Sequence, residues 1–189
     1  MASRAEAFEL LKEYVESKSL LKHSFAVEAG MRGYAAYYGE DEETWASCGL
    51  LHDIDFEKYP DEHPFRGPEI LKDRGYAEEF CLAVKGHADY TDTPRTTNMA
   101  KALYAVDQMS SFIVAVALMR PEVFGGLKPK SVKKKLKTKS FAAKVDREGL
   151  NKGAEELNID MTEHIQILID ALVKHEEFLK EQGYSLIEF

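Results

Sequence analysis

Apolar residues recur every three or four positions along almost the whole chain. That is the period of helices buried by one face; alternating strand patterns bounded by turn signals are missing. The pattern predicts helices over about 3–17, 20–38, 42–53, 66–74, 77–88, 97–119, 131–137, 140–157 and 161–182, and so an all-α helical bundle. The last helix is the clearest. Ile165, Leu168, Ile169, Leu172 and Val173 form a stripe at i, i+3, i+4, i+7 and i+8, with Asp160 or Thr162 as its cap and Gly183 past its end. His164 and His175 on this helix read as surface or packing residues. Phe112 to Met119 reads as core, and Gly30 and Gly33 read as positions where helices approach closely. All six prolines fall between helical patterns or at their starts, where the missing amide donor does least harm.

The length, 189 residues, suits a single domain spanning 1–189. With 44% hydrophobic and 31% charged residues, disorder, collagen-like repeats and a disulfide scaffold are excluded as the overall class. The longest uninterrupted apolar run, Phe112 to Met119, falls far short of the roughly 20 residues of a membrane-crossing helix, so no span is expected. Met1 to Glu6 lacks the basic start and apolar stretch of a signal peptide, and the expectation is a cytoplasmic protein. Cys48 and Cys81 stand far apart in apolar helical surroundings, which predicts buried free thiols.

A net charge of -8 argues against wholesale coating of nucleic acid. The charge is segregated, however. Arg120 to Arg147 holds ten basic and two acidic residues, a local +8, leaving -16 on the remainder. Such a lysine run reads as a solvated helix face or, more sharply, as an anion-attracting patch beside an active site.

Four of the six histidines lie between residues 23 and 87: His23, His52, His63 and His87. His23 opens a helix whose next turns are apolar and small, so its imidazole is expected to point inward. His52-Asp53 ends the apolar run Trp45 to Leu51, and Asp107 lies inside a long, apolar helix. An unpaired carboxylate there would be costly, and a cation resolves that cost. Imidazoles and carboxylates suit Fe, Mn, Co, Ni or Zn, while the lack of a thiolate cluster argues against structural zinc.

The order His23, His52-Asp53, Asp107 resembles the H…HD…D signature of the HD-domain metal-dependent phosphohydrolase superfamily, and Leu51-His52-Asp53-Ile54-Asp55 is similar to its HDIG-type variant. The resemblance covers roughly residues 20–120 as a metal-binding core, leaving a helical extension over about 128–189. It implies an all-α single-domain HD bundle that holds one or two divalent metals and hydrolyses a phosphomonoester or phosphodiester. His63-Pro64-Phe65-Arg66-Gly67 is similar to a segment of dinuclear HD proteins, and His87 falls where those proteins supply another ligand. The resemblance therefore implies two ions, drawn from Fe, Mn, Co, Ni, Zn or Mg. Asp53 would bridge them, with His23, His52 and Asp107 on one and His63 and His87 on the other. The competing arrangement is one ion, with His63 and His87 lining the pocket.

The chain also departs from the pattern. Asp55 replaces the Gly of the HDIG form, a single His87 follows Gly86 where the cyclic-dinucleotide branch has paired histidines, and the GYP segment of that branch is absent. Asp55 is expected either to orient a ligand or its water or to cap a loop. Catalytic roles are expected of His52, Asp53, Asp55, Lys58 and Arg66, the last two as phosphate-orienting cations along with Lys85; Lys130, Lys133 and Lys134 could extend an anion-binding rim. The expected partner is a small phosphorylated substrate. A di-iron HD-fold oxygenase is the rival reading, and a non-catalytic metal-stabilised sensing module ranks last.

Overall fold

Side-chain caps set where most helices begin. In the computed structural model, which describes residues 3–188, Ser3 opens α1 (Arg4–Tyr14) with a capping box: its hydroxyl accepts from the Glu6 amide, and the Glu6 carboxylate accepts from the Ser3 amide at 2.7 Å. Ser17 caps α2 (Lys18–Tyr38), Asp41 caps α3 (Glu42–Leu51) and Thr97 caps α6 (Asn98–Leu118). Asp146 does the same for α8 (Arg147–Glu156), and Asp160 for α9 (Met161–Glu181). Between them lie α4 (Arg66–Asp73), α5 (Glu78–Lys85) and α7 (Pro129–Leu136), the last with proline at its start. Gly39 ends α2 with a left-handed φ of 71°. No strand occurs among the described residues.

Helix α2 is the hub and packs against α3, α6 and α9; α6 in turn meets α5 and α8. Glycines permit the closest of these contacts. A Cβ on Gly30 would fall 2.9 Å from Leu168 and from the Ser110 hydroxyl, and a Cβ on Gly33 would lie 2.9 Å from that of Ala171. Helix α6 is long and apolar enough by length and composition to cross a membrane, which the short apolar run alone does not reveal. Here its apolar residues from Met99 to Ala117 line the bundle core.

Four details correct the sequence reading. The apolar run beginning at Phe112 leaves the core at its end, where Leu118 and Met119 are exposed. Val173 is exposed at the edge of the α9 stripe, whereas His164 and His175 are buried packing residues rather than surface ones. Residues 140–146 are turn, not helix. The Arg147 guanidinium gathers the carbonyls of Phe141, Ala142 and Val145 there, and Ala142 takes a positive φ of 45°. Cys48 and Cys81 are free and buried, as their surroundings imply.

Candidate metal centre

Two helices and three turns bring six donors together. His23 comes from the second turn of α2, His52 and Asp53 from the turn that closes α3, His63 from the turn before α4, His87 from just beyond α5, and Asp107 from the middle of α6. Close approach of α2 and α3 makes the meeting possible. A Cβ on Gly49 would stand 2.8 Å from the Val27 carbonyl, so only glycine lets His52, one turn on, reach His23. Their Nε2 atoms are 3.0 Å apart.

The Asp53 carboxylate divides the donors into two groups. Its Oδ2 lies 3.3 Å from His23 Nε2 and 3.2 Å from His52 Nε2, and Asp107 Oδ1 adds contacts of 3.1 and 3.6 Å to the same two nitrogens. Its Oδ1 lies 3.4 Å from His87 Nε2 and 3.6 Å from His63 Nε2. His23, His52 and Asp107 form one compact set able to hold an ion, and His52, Asp53 and His87 a second; His63 stands beside the latter.

The outer nitrogens are all engaged. His52 Nδ1 donates to the Gly49 carbonyl at 2.8 Å and His87 Nδ1 to the Val84 carbonyl at 2.5 Å. His63 Nδ1 donates to Asp55 Oδ1 at 2.7 Å, and His23 Nδ1 is bonded to the Ser111 hydroxyl at 2.8 Å. A carbonyl or carboxylate can only accept, so in neutral His52, His63 and His87 the proton sits on Nδ1 and the Nε2 lone pair turns inward. Lone pairs of imidazoles and carboxylates then face one another across little more than 3 Å. Only positive charge between them, protons or a cation, makes that arrangement stable.

The electrostatics without metal say the same. Burial pulls the His23 imidazole down, but hydrogen bonds to Asp107 and Asp53 override it and raise its pKa to about 9. At His52, burial again opposes the Asp53 charge and the bonds to both aspartates, which win and leave it well above its usual range. Burial would raise the two carboxyls. At Asp53 the charge of His52 overcomes it, and at Asp107 the bonds from His23 and His52 do, holding both well below the ordinary range. The donor chemistry therefore fits a divalent cation of the imidazole- and carboxylate-binding kind.

A family model for the HD domain matches residues 20–117, just over half of the chain and all six donors. The chain belongs to the HD-domain family. Membership makes it one of a superfamily of metal-dependent hydrolases, and the all-helical bundle agrees with it. No curated protein matches the chain significantly. Within the HD core, Asp55 is a buried partner of the site: besides His63, its carboxylate accepts from the Gly67 amide at 2.5 Å. A Cβ on Gly67 would crowd that carboxylate at 3.2 Å.

The other cations expected at the HD centre have partners outside the six donors. Lys58 donates to the Glu13 carbonyl and Arg66 pairs with Glu69 at 2.6 Å, while Lys85 rests over the Phe65 ring with its Nζ 5.7 Å from the centroid. Lys133 reaches Thr162 on α9. A cavity of about 630 Å³ opens on His23 and Asp53, and its remaining walls are Ser17, Ser19, Leu20, Phe56 and Glu57. A larger cleft of about 710 Å³ lies between α2 and α9 and touches none of the six donors. Ser111 escapes the sequence reading, although it stands four residues after Asp107 on the same helix face.

Proposed function

We propose that this protein is a dinuclear, metal-dependent phosphohydrolase acting on a small phosphorylated substrate. The observation that carries the reading is the division of the Asp53 carboxylate, one oxygen toward His23 and His52 and the other toward His63 and His87. His23, His52 and Asp107 would hold one ion, His63 and His87 the other, with Asp53 between. Divalent cations held there would lower the pKa of a coordinated water and offset charge on the phosphoryl oxygens. The protein's part is to fix the donors. Asp55 and Ser111 hold the rings of His63 and His23 from behind, and the carbonyls of Gly49 and Val84 hold those of His52 and His87.

Metal analysis of protein purified without added ions, followed by assays of phosphomonoesters, nucleotides and phosphodiesters with Mn, Fe, Co, Ni, Zn and Mg, tests this. About two ions per chain and turnover of at least one ester class are expected; no turnover with any metal sinks the reading. Four imidazoles and two carboxylates would equally hold two irons, the rival oxygenase centre. A mixed-valent di-iron paramagnetic signal after aerobic purification would redirect the assignment to oxygenation.

A further inference from the structure

The edge of the metal centre beside His63 is built largely of aromatic rings, with Lys85 resting over one of them, Phe65. Phe56 is 51% exposed although it sits beside the ligands, its amide bonded to the Asp53 carbonyl and its ring perpendicular to that of His63 with centroids 5.1 Å apart. Phe65 and Tyr90 are also largely exposed, 6.4 Å apart by ring centroid, and the Tyr90 hydroxyl donates to the His63 carbonyl at 3.1 Å. Exposed rings are usually scattered; here three collect around a single ligand-bearing turn. A soluble fold leaves such a patch open where something apolar is to be bound. Tyr90 belongs to the same electrostatic neighbourhood: partial burial, and then the charges of Asp55 and Asp53, raise its phenol.

Phe56 also forms a wall of the 630 Å³ cavity over His23 and Asp53, together with Leu20, the hydroxyl-bearing Ser17 and Ser19, and Glu57, whose carboxylate accepts from the Glu16 and Ser17 amides. No Lys or Arg lines that cavity. A chain of phosphates would find no counter-charge there beyond the metals. One phosphoryl group with a flat, apolar remainder would find a complementary surface.

We infer that the substrate is a monophosphate ester whose remaining part is an aromatic or heteroaromatic ring, and that Phe56 is the specificity-determining residue that stacks on it. The inference rests on the phosphohydrolase reading for the identity of the reacting group, and on the aromatic rim for everything else. Phe56 touches the substrate's non-reacting part, so its removal changes selection among substrates and not the holding of metal.

The test separates binding from turnover. Metal-loaded protein is titrated calorimetrically with benzylphosphonate and with methylphosphonate, which cannot be hydrolysed as esters, and is assayed in parallel on phenyl phosphate and glycerol phosphate. Wild type should bind the benzyl compound at least about fivefold more tightly than the methyl one, the scale of one ring stacked on an aromatic side chain. Phe56→Ala should abolish that preference with methylphosphonate affinity and metal content unchanged, and Phe56→Tyr should keep it. A preference that survives in Phe56→Ala, or is absent from wild type, overturns the inference. Binding preference with no hydrolysis of these two esters or of any nucleotide or phosphodiester, with any of the metals, would sink the phosphohydrolase reading and leave the ring site standing. Hydrolysis of both esters with equal efficiency and no binding preference would do the reverse, and no phosphonate binding at all would overturn both.

Discussion

Helix α2 carries two buried charge clusters, one at His23 and one five residues later at Glu28, and they are built in opposite ways. Glu28 is completely buried, but the protein supplies its counter-charge. Arg4 grips both carboxylate oxygens at 3.0 and 3.1 Å, Arg32 adds a longer contact, and His175 Nε2 stands 3.3 Å away. At His23 two carboxylates meet four imidazoles, and among the described residues the ion pairs of both carboxylates are with histidines alone. A cluster that closes on its own guanidinium is architecture, whereas one that converges lone pairs and stops requires a cation from outside. Burial and ionisation alone do not tell the two apart; the inventory of cations does.

The most drastic way to break the contrast is at its pivot. Asp53→Ala removes both faces of the divided carboxylate, and metal content should fall from about two ions to none, with any hydrolytic activity reduced at least about 100-fold. The helical fold should persist, because Asp53 contributes donors rather than core. Elemental analysis with circular dichroism checks this, and unaltered metal content in the variant would show that the centre has been placed wrongly.

The opposite cluster should respond in stability alone. Arg4→Ala leaves the buried Glu28 carboxylate without its two-point partner, a loss of about 3–5 kcal/mol by analogy with other broken buried pairs, with metal content unchanged. The sign of its pH dependence follows from the carboxyl. Burial would raise it, but His175 and then Arg4 overcome burial and hold it at about 2, against an ordinary 4.5. Between those values the unfolded chain binds more protons than the folded one, so stability falls as pH falls. The gap between wild type and Arg4→Ala should therefore be full above about pH 4.5 and close toward pH 2. Thermal melts across that range measure it; a gap that widens with acid would contradict the pairing.

The contrast also explains what was legible in the sequence. His23, His52-Asp53 and Asp107 sit where a polar group has no structural excuse, within or at the end of an apolar helix, and so their order stands out. The helices are legible for the same reason, since their periodicity and caps are local. Partnerships of long side chains are not local. Lys58 lies near the ligands in sequence yet turns to Glu13, 45 residues away, and Glu28 draws its guanidinium from Arg4 at the start of α1, 24 residues away. The segment before Arg147 reads as helix because Phe141, Ala142 and Val145 have helical spacing, but one guanidinium satisfying several carbonyls makes the turn the better structure. His175 is left between surface and packing by the local pattern because its neighbour Glu28 is on another helix.

Between the extremes lies Asp55, a buried carboxylate that belongs to the centre without facing it. One oxygen fixes the His63 ring and the other fixes the Gly67 amide, so the side chain ties a ligand to the first turn of α4. Asp55→Asn keeps the volume, but its amide can present only one acceptor oxygen, so one of the two bonds is lost. The ion on the His63 and His87 side should weaken by about 10–100-fold, and the one on the His23 side should hardly change. Competition with a graded chelator would resolve this as two ions of unequal affinity where wild type shows a closer pair. Equal weakening of both would mean that Asp55 supports the bundle as a whole, and that the division of the centre at Asp53 carries no functional meaning.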